Sequence, residues 1–285
     1  MIIIDFSGIA VANIIVQKMN DESMIRHMIL NSIRMYRQKF KEEYGTNVIL
    51  ACDGPNNWRR TYYPQYKANR KKSRDDSDFD WNTAWTILNQ VRQEIKENFP
   101  YKLIHIDGCE ADDIIGTLVE QTQQFGSYEK VMIVSADGDF KQLQKYDNVS
   151  QFSPLTKKYV EESHPRQNLK LKILQGDAGD GVPNVLSHDD TFVNGERQTP
   201  LSKKKKEAIL QDLSDGELLY AASWYRNYQR NEKLIDLTQT PQKLKNQIID
   251  EFWITEKGNK AAMVLPYLIN KKCKMLIESV EEFIS

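Results

Sequence analysis

The run Cys109-Glu110-Ala111-Asp112-Asp113-Ile114-Ile115-Gly116 places three carboxylates within four positions. It follows directly on the apolar stretch Leu103-Ile104-His105-Ile106-Asp107. Like charges gathered in this way oppose folding: at ~6 Å and an effective dielectric of ~20, one carboxylate pair repels by roughly 3 kcal/mol. Such a cluster is kept beside a core strand where cations or substrate chemistry use it. The same arrangement returns three times. Ile2-Ile3-Ile4 leads to Asp5, Val48-Ile49-Leu50-Ala51-Cys52 leads to Asp53, and Val131 through Ala136 leads to Asp137-Gly138-Asp139. A later turn, Gly176-Asp177-Ala178-Gly179-Asp180-Gly181, adds two more acids.

The set Asp5, Asp53, Glu110, Asp112, Asp113, Asp137, Asp139, Asp177 and Asp180 offers only hard oxygen ligands, which suit Mg²⁺ or Mn²⁺. The four histidines are scattered and have no zinc spacing. A single Asp at a strand end is commonly a helix cap or turn residue, and Asp113 taken alone fits that role, facing away from a site. Capping does not explain four strand ends that all carry acids. Two ions about 4 Å apart stabilise the attacking and leaving oxygens of phosphodiester cleavage. The first acids, with Asp112 and Asp137 as catalytic ligands, would hold one ion. Asp139, Asp177 and Asp180 would hold or position the second, through water.

A second chemistry stands beside the acids. Between Asn56 and Arg74 lie Arg59, Arg60, Lys67, Arg70, Lys71, Lys72 and Arg74, with no acid among them. Trp58, Tyr62, Tyr63 and Tyr66 are interleaved. Phosphates are contacted by Arg and Lys, and unpaired bases stack on aromatic rings. A charge run alone is usually a solvated face. This density of cations and rings, soon after Asp53, instead reads as a nucleic-acid-binding arch over 55–80. Its few aliphatic residues argue against deep packing. The Lys67 ammonium is a compact charge suited to a scissile phosphate. Lys203-Lys204-Lys205-Lys206 either opens a helix on duplex phosphates, through Lys203 and Lys204, or is merely solvated.

The elements that must position these groups read as α/β. Ile2–Phe6, Val48–Cys52, Leu103–Asp107 and Val131–Ser135 have the Ile- and Val-rich continuity of buried parallel strands. Helical spacing fills Asp21–Tyr44, Trp81–Phe99 and Asp112–Phe125. This alternation predicts a mostly parallel sheet with helices on both faces, whose ligands gather beyond the carboxyl ends of the strands. Val149–Phe152 and Lys158–Val160 suggest an edge hairpin. After Pro165 the strand runs stop. Gln167–Gln175, Lys203–Leu213, Asp215–Arg230, Pro241–Phe252 and Asn259–Phe283 are helix candidates, the last as one helix or two. Ser187–Gln198 reads as an exposed polar loop. Two domains follow: residues 1–164, α/β and including the arch, and 165–285, all-helical.

Composition sets outer limits. The 285 residues are 40% hydrophobic and 28% charged, and the net charge of -1 conceals strong segregation of the two signs. Cys52, Cys109 and Cys273 form no disulfide framework by count or spacing, which fits a reducing compartment. The first residues lack the pattern of a signal peptide. No stretch approaches the ~18 apolar residues of a membrane span.

In this order, Asp5, Asp53, Glu110-Ala111-Asp112-Asp113, Asp137-Gly138-Asp139 and Gly176 through Pro183 resemble the structure-specific 5′-nuclease (flap endonuclease) family, particularly its phage members. The resemblance covers about residues 1–184 and continues weakly to Val280-Glu281-Glu282-Phe283. Arg26 through Ile33, Trp58-Arg59-Arg60, Tyr66-Lys67-Ala68-Asn69-Arg70 and Ser135 through Phe140 support it. It implies a nuclease using two Mg²⁺ ions, with Mn²⁺ as a substitute, that removes 5′-terminal RNA or DNA from duplexes, flaps and forks. In lagging-strand replication this would clear RNA primers. It also implies an arch lysine at Lys67 with Arg59 and Arg70 nearby, and a helix-hairpin-helix grip on duplex near 173–213. Further implications are a monomer in the infected host cytoplasm, with a single-stranded-DNA-binding protein and a sliding clamp as partners. The family's hairpin often holds K⁺. Here Asn184 stands where glycine is common and 186–198 is an insertion, which speaks against K⁺ while leaving a duplex grip. Rival readings are a toprim or HAD phosphotransferase and an inactive branched-DNA binder. Ser7 stands where HAD chemistry wants a second acid. A toprim site leaves Asp5, Asp53 and the basic interval unexplained.

Overall fold

The computed structural model describes residues 1–17, 21–70, 79–124, 128–216, 219, 222–254 and 260–284, with side chains of 13–17 excepted. Six strands form one sheet in the order β3-β2-β1-β4-β5-β6. β1 is Ile2–Asp5, β2 Val48–Cys52, β3 Lys102–His105, β4 Val131–Val134, β5 Val149–Ser153 and β6 Lys158–Val160. The first five run parallel, and β6 returns antiparallel on β5. Ile2, Ile3 and Ile4 are fully buried and sit between Val48-Ile49-Leu50 on one side and Met132-Ile133-Val134 on the other. Burial on both faces explains why these strands are continuous apolar runs rather than alternating ones. Strand order reverses between β1 and β4, so Asp5 and Asp137 leave the sheet side by side at the switch point where α/β sheets bind ligands.

Helix α1, Phe6–Gln17, follows β1 directly. Its apolar residues give no one-sided pattern, so the sequence reading passed over it. Helix α2, Glu22–Tyr44, is capped by Asp21 and buries Ile25, Ile29, Ile33 and Phe40 against the sheet. Helix α3 is the short turn Trp58–Tyr62, α4 is Trp81–Asn98 and α5 is Ala111–Gln121.

The helical part departs from expectation in three places. Helix α6, Pro165–Gln175, agrees closely, but α7 runs Lys203–Asp215 and stops at Gly216, whose left-handed backbone (φ 71°) caps it. Asp215 therefore ends a helix; of the expected Asp215–Arg230 helix, residues 217–218 and 220–221 lie outside the described residues, and the next helix described, α8, is Tyr225–Ile235. Helix α9 is Gln242–Trp253. The expected helix or pair over 259–283 is three: α10 (Ala261–Asn270), α11 (Lys274–Ile277) and α12 (Glu281–Ile284), while residue 259 lies outside the described residues. Residues 187–198 are the expected loop, exposed at 188, 190 and 193–197, but the loop is anchored at its start. Ser187 and Thr191 are buried, and Asp189 is held by Arg226 and Arg230.

Three cores result. Val264, Tyr267, Leu268 and Phe283 pack with α2 and α4 on one sheet face. Leu237, Ile248 and Phe252 pack with α5 on the other. The third core joins Tyr63 and Tyr66 to Ile173, Leu174, Val182, Val185, Leu234 and Ile235. Residue 164 thus marks a change of element type, whereas packing runs across it. None of the described helices is long and apolar enough to cross a membrane.

Candidate functional site

The acids collect along the carboxyl edge of the sheet, and the backbone fixes each one. Asp5 ends β1. Its two oxygens accept from the Gly8 amide and the Ser135 hydroxyl, both at 2.9 Å. A Cβ on Gly8 would stand 2.6 Å from the Asp5 carboxylate, so glycine is needed there. Burial, together with the nearby charges of Asp53 and Asp137, pushes the Asp5 carboxyl up to about 6. Asp53 follows β2 and accepts from the Ala111 amide at the start of α5 (2.8 Å). The next residue, Gly54, lets the chain pass so close to Ile106 that a Cβ would overlap its carbonyl. That close passage brings Asp53 to the helix bearing Glu110 and Asp112.

Asp112 is raised well above the carboxylate range by burial, with Glu110 and Asp137 adding like charge. Asp137 caps the 3-10 turn Gly138–Lys145 by accepting from the Asp139 amide. Its loop is fixed by Gln151, a fully buried residue of β5 whose amide donates to the carbonyls of Ser135 (3.0 Å) and Asp137 (2.7 Å). The strand pattern gave no sign of this role, since an inward glutamine simply interrupts an apolar run.

Asp113 belongs elsewhere. Its carboxylate accepts from Trp58 Nε1, Arg59, Thr240 Oγ1 and the Glu110 amide. It is completely buried and committed to these partners, sharing Arg59 with Glu110. As a metal ligand it is therefore corrected. Its third-position carboxylate closes a capping box with Glu110. Arg59 is corrected with it. The guanidinium is 2% exposed and spans Asp113, Glu110 and the Leu234 carbonyl, so it cannot meet a phosphate. Arg60, Lys203 and Lys204 are exposed and can do so, with Glu207 3.9 Å from Lys203. Ser202 caps α7 and thereby starts the helix at the lysine run. Lys71, Lys72 and Arg74 lie outside the described residues.

The described part of the arch is anchored, contrary to the expectation of shallow packing. Tyr63 and Tyr66 are buried, and Tyr66 Oη reaches Glu110 and Asp180, each at 2.9 Å. Neither ring is available for stacking, while Tyr62 is half exposed. Lys67 has a left-handed backbone (φ 55°), and its Nζ lies 2.5 Å from Glu110 and 3.6 Å from Asp180. Its amide donates to the Asp180 carbonyl. Arg70 pairs with Asp180 at 2.6 Å. Burial raises the Glu110 carboxyl, but Lys67 and Arg59 outweigh it and hold the group below its usual range.

The remaining acids have a partner that the sequence reading missed. Lys172, in the last turn of α6, pairs with both Asp139 and Asp177. The lysine lies in no charge run, so only the fold reveals it. The expected trio Asp139, Asp177 and Asp180 is therefore divided. Two acids turn to Lys172, and Asp180 turns to the arch. As placed, no three carboxylates among the described residues converge on one point as a ready cation cage. Cys52, Cys109 and Cys273 are all buried free thiols.

The hairpin departures also resolve. Asn184 has no left-handed backbone to demand glycine. Its side chain donates to the Thr199 carbonyl and accepts from the Leu186 amide and Ser187 hydroxyl, tying the base of the insertion together.

Comparison with known proteins agrees with this layout. The N-terminal resolvase-like domain of 5′-3′ exonucleases matches residues 2–171. The chain belongs to the 5′-3′ exonuclease family. The T4 RNase H C-terminal family matches residues 164–283. Ribonuclease H of Enterobacteria phage T4 is 35% identical over 292 residues, covering 99% of this chain and 95% of that protein. The exodeoxyribonuclease of Enterobacteria phage T3 is 26% identical, covering 67% of this chain and 60% of its own length. Among solved structures, the T5 D15 protein co-crystallised with metal ions superposes with a TM-score of 0.64 at 18% identity, covering 90% of this chain and 99% of that one. The chain is a 5′-nuclease, and the toprim and HAD readings fall away.

Proposed function

We propose that this 5′-nuclease is Mg²⁺-dependent, with Mn²⁺ able to substitute, and that it cleaves phosphodiester bonds at 5′ ends, flaps and forks by two-metal catalysis. In replication it would remove RNA primers from lagging-strand fragments as a monomer in the infected host cytoplasm, beside a single-stranded-DNA-binding protein and a sliding clamp. The observation that carries the reading is the reach of Lys67 and Arg70 into the carboxylates beyond the strand ends.

The donor set fits hard divalent cations. It is composed of carboxylate oxygens, and the Asp5 and Asp112 carboxyls are raised first by burial and then by neighbouring like charges, both of which a cation would offset. Asp5, Asp53, Glu110, Asp112 and Asp137 would hold one ion, and Asp139, Asp177 and Asp180 would hold or position the other. Bound ions lower the pKa of water and draw charge from the attacked phosphate. The protein's own groups do the rest. Ser135 and Gly8 orient Asp5, Gln151 fixes the Asp137 loop, and Arg59 with Asp113 secures the start of α5. An entering phosphate exchanges with Glu110 at Lys67, whose charge then meets the oxygens that become more negative during attack. Arg70 and Arg60 hold flanking phosphates, and Lys203 and Lys204 the downstream duplex. The reading predicts no K⁺ in the rebuilt hairpin.

The test uses 5′-labelled and 3′-labelled flap and nicked RNA–DNA hybrids, with and without Mg²⁺. Short products should come from the 5′ end alone and only with the metal. A bulky block on the 5′ end should slow cutting more than one on the 3′ end. Cleavage in the presence of chelator, or from the 3′ end, would overturn the proposal.

A further inference from the structure

The acids of this edge are neutralised in two separate ways. Glu110 and Asp180 are bridged by the arch, through Lys67, Tyr66 and Arg70. Asp139 and Asp177 come from the turn after β4 and the loop after α6, thirty-eight residues apart in sequence, and Lys172 pairs with both. Arch residues pair with neither in the described structure. The lysine is held in place: it lies one turn before the α6 C-cap, its carbonyl accepts from the Gly176 amide, and Ile173 and Leu174 beside it are buried. Its side chain is three-quarters buried, and those of Asp139 and Asp177 are 14% and 28% exposed. A cation held between these two carboxylates meets Lys172, which already pairs with both.

We infer that Lys172 is the resident cation of the Asp139–Asp177 pair, so that a divalent ion enters there only by displacing the ammonium, and binds more weakly than at the Asp5–Asp112–Asp137 side. This rests on the metal-dependent reading above and adds an order of loading to it. Asp5, Asp112 and Asp137 form no ion pair with Lys or Arg among the described residues, although Lys67 holds Glu110 beside them. The Asp139–Asp177 half-site is closed by an internal charge that holds the turn after β4 against α6 until it is exchanged. The ammonium acts as a positioning group: without metal it keeps the two acids together, and with metal it sets the threshold for the second ion.

The test is ion binding to the DNA-free protein, with no turnover in the readout. Mn²⁺ is titrated with bound ion counted by electron paramagnetic resonance, and Mg²⁺ is followed by calorimetry. Wild type should show one tighter and one weaker ion. Lys172→Met keeps the apolar stem and removes the charge, and the weaker ion should tighten by about tenfold or more, because a like charge within a few ångströms is gone. Lys172→Arg keeps the charge and should leave the weaker ion weak. Adding Asp177→Asn to Lys172→Met should abolish the tightening, which assigns the gain to this pair. An unchanged or weakened second ion in Lys172→Met, or tightening that survives Asp177→Asn, would overturn the inference while leaving the metal-dependent reading intact. Wild type that binds no divalent ion would overturn both. Circular dichroism of each variant at the titration temperature confirms that folded protein is compared.

Discussion

Asp5→Asn in metal-free protein should reveal how much the acid cluster costs the fold. The carboxyl rises from 3.8 to about 6, mainly through burial and then through Asp53 and Asp137. The folded state therefore binds this proton more tightly than the unfolded chain does. Stability from the protonated form is present at low pH and is lost as pH climbs from near 4 through about 6. A shift of roughly two units corresponds to about 3 kcal/mol. Asparagine is neutral throughout. It keeps an acceptor for the Gly8 amide and presents its own amide to Ser135, so the change in hydrogen bonding is the same at every pH. The variant's stability relative to wild type should thus grow by about 3 kcal/mol between pH 3 and pH 8, most of it between pH 4 and pH 6, and then level off. Urea denaturation in chelator at several pH values measures it. Glu110, Asp177 and the other shifted acids titrate in both proteins, so the difference isolates Asp5 and its coupling to Asp53 and Asp137. A difference that is flat with pH, or that falls, would refute the electrostatic reasoning.

Three further outcomes test neighbouring parts. Arg59→Met leaves Asp113 buried and without its charge partner, so stability should drop by about 3–5 kcal/mol while DNA affinity of the folded protein holds; denaturation and binding at low temperature check it. Mg²⁺ at ~100 times its dissociation constant should stabilise the protein by ~2.7 kcal/mol at constant ionic strength, and a melting temperature indifferent to millimolar Mg²⁺ would contradict a cation site. Lys67→Ala should lower the single-turnover rate more than the affinity, whereas Arg70→Ala should weaken binding and flatten the salt dependence by about one unit. A Lys67→Ala enzyme that cuts normally once bound would leave the arch with a binding role only.

What could be read from the sequence follows from what is local. The central strands announce themselves because Ile2-Ile3-Ile4 and Val131 through Val134 are buried on both faces and must be apolar throughout. Their acids were legible because a parallel sheet sends every strand end to the same edge. The positions that were misread depend on long-range contacts. Asp112 and Asp113 are the same residue type one position apart, and about 100° of helix rotation sends one to the site and the other to Thr240. Arg59 looked like surface charge because its partners Glu110, Asp113 and Leu234 are remote in sequence. Tyr63 and Tyr66 looked like stacking platforms because their packing partners, Ile173 and Leu234 among them, come more than a hundred residues later. Gln151 and Lys172 belong to no pattern at all, and only the folded chain shows what they hold.

The packing of the last fifty residues constrains how such nucleases can be rebuilt. Residues 237–252 cover one face of the sheet, and 264–283 cover the opposite face. The segment between α6 and α8, proposed to bind duplex, is therefore flanked on both sides of the sequence by parts that pack on the sheet. It cannot be exchanged between relatives as a terminal cassette, because cutting after residue 164 would strip Leu237, Ile248, Phe252, Tyr267 and Phe283 from the sheet. A viable graft would have to be an insertion, entering near Pro165 and leaving before Leu237, with the original tail retained. The same interleaving makes the proposed substrate grip and the acid-bearing edge parts of one cooperative unit, so a chimaera that weakens the hairpin core built on Tyr63 and Tyr66 would also disturb Glu110 and Asp180.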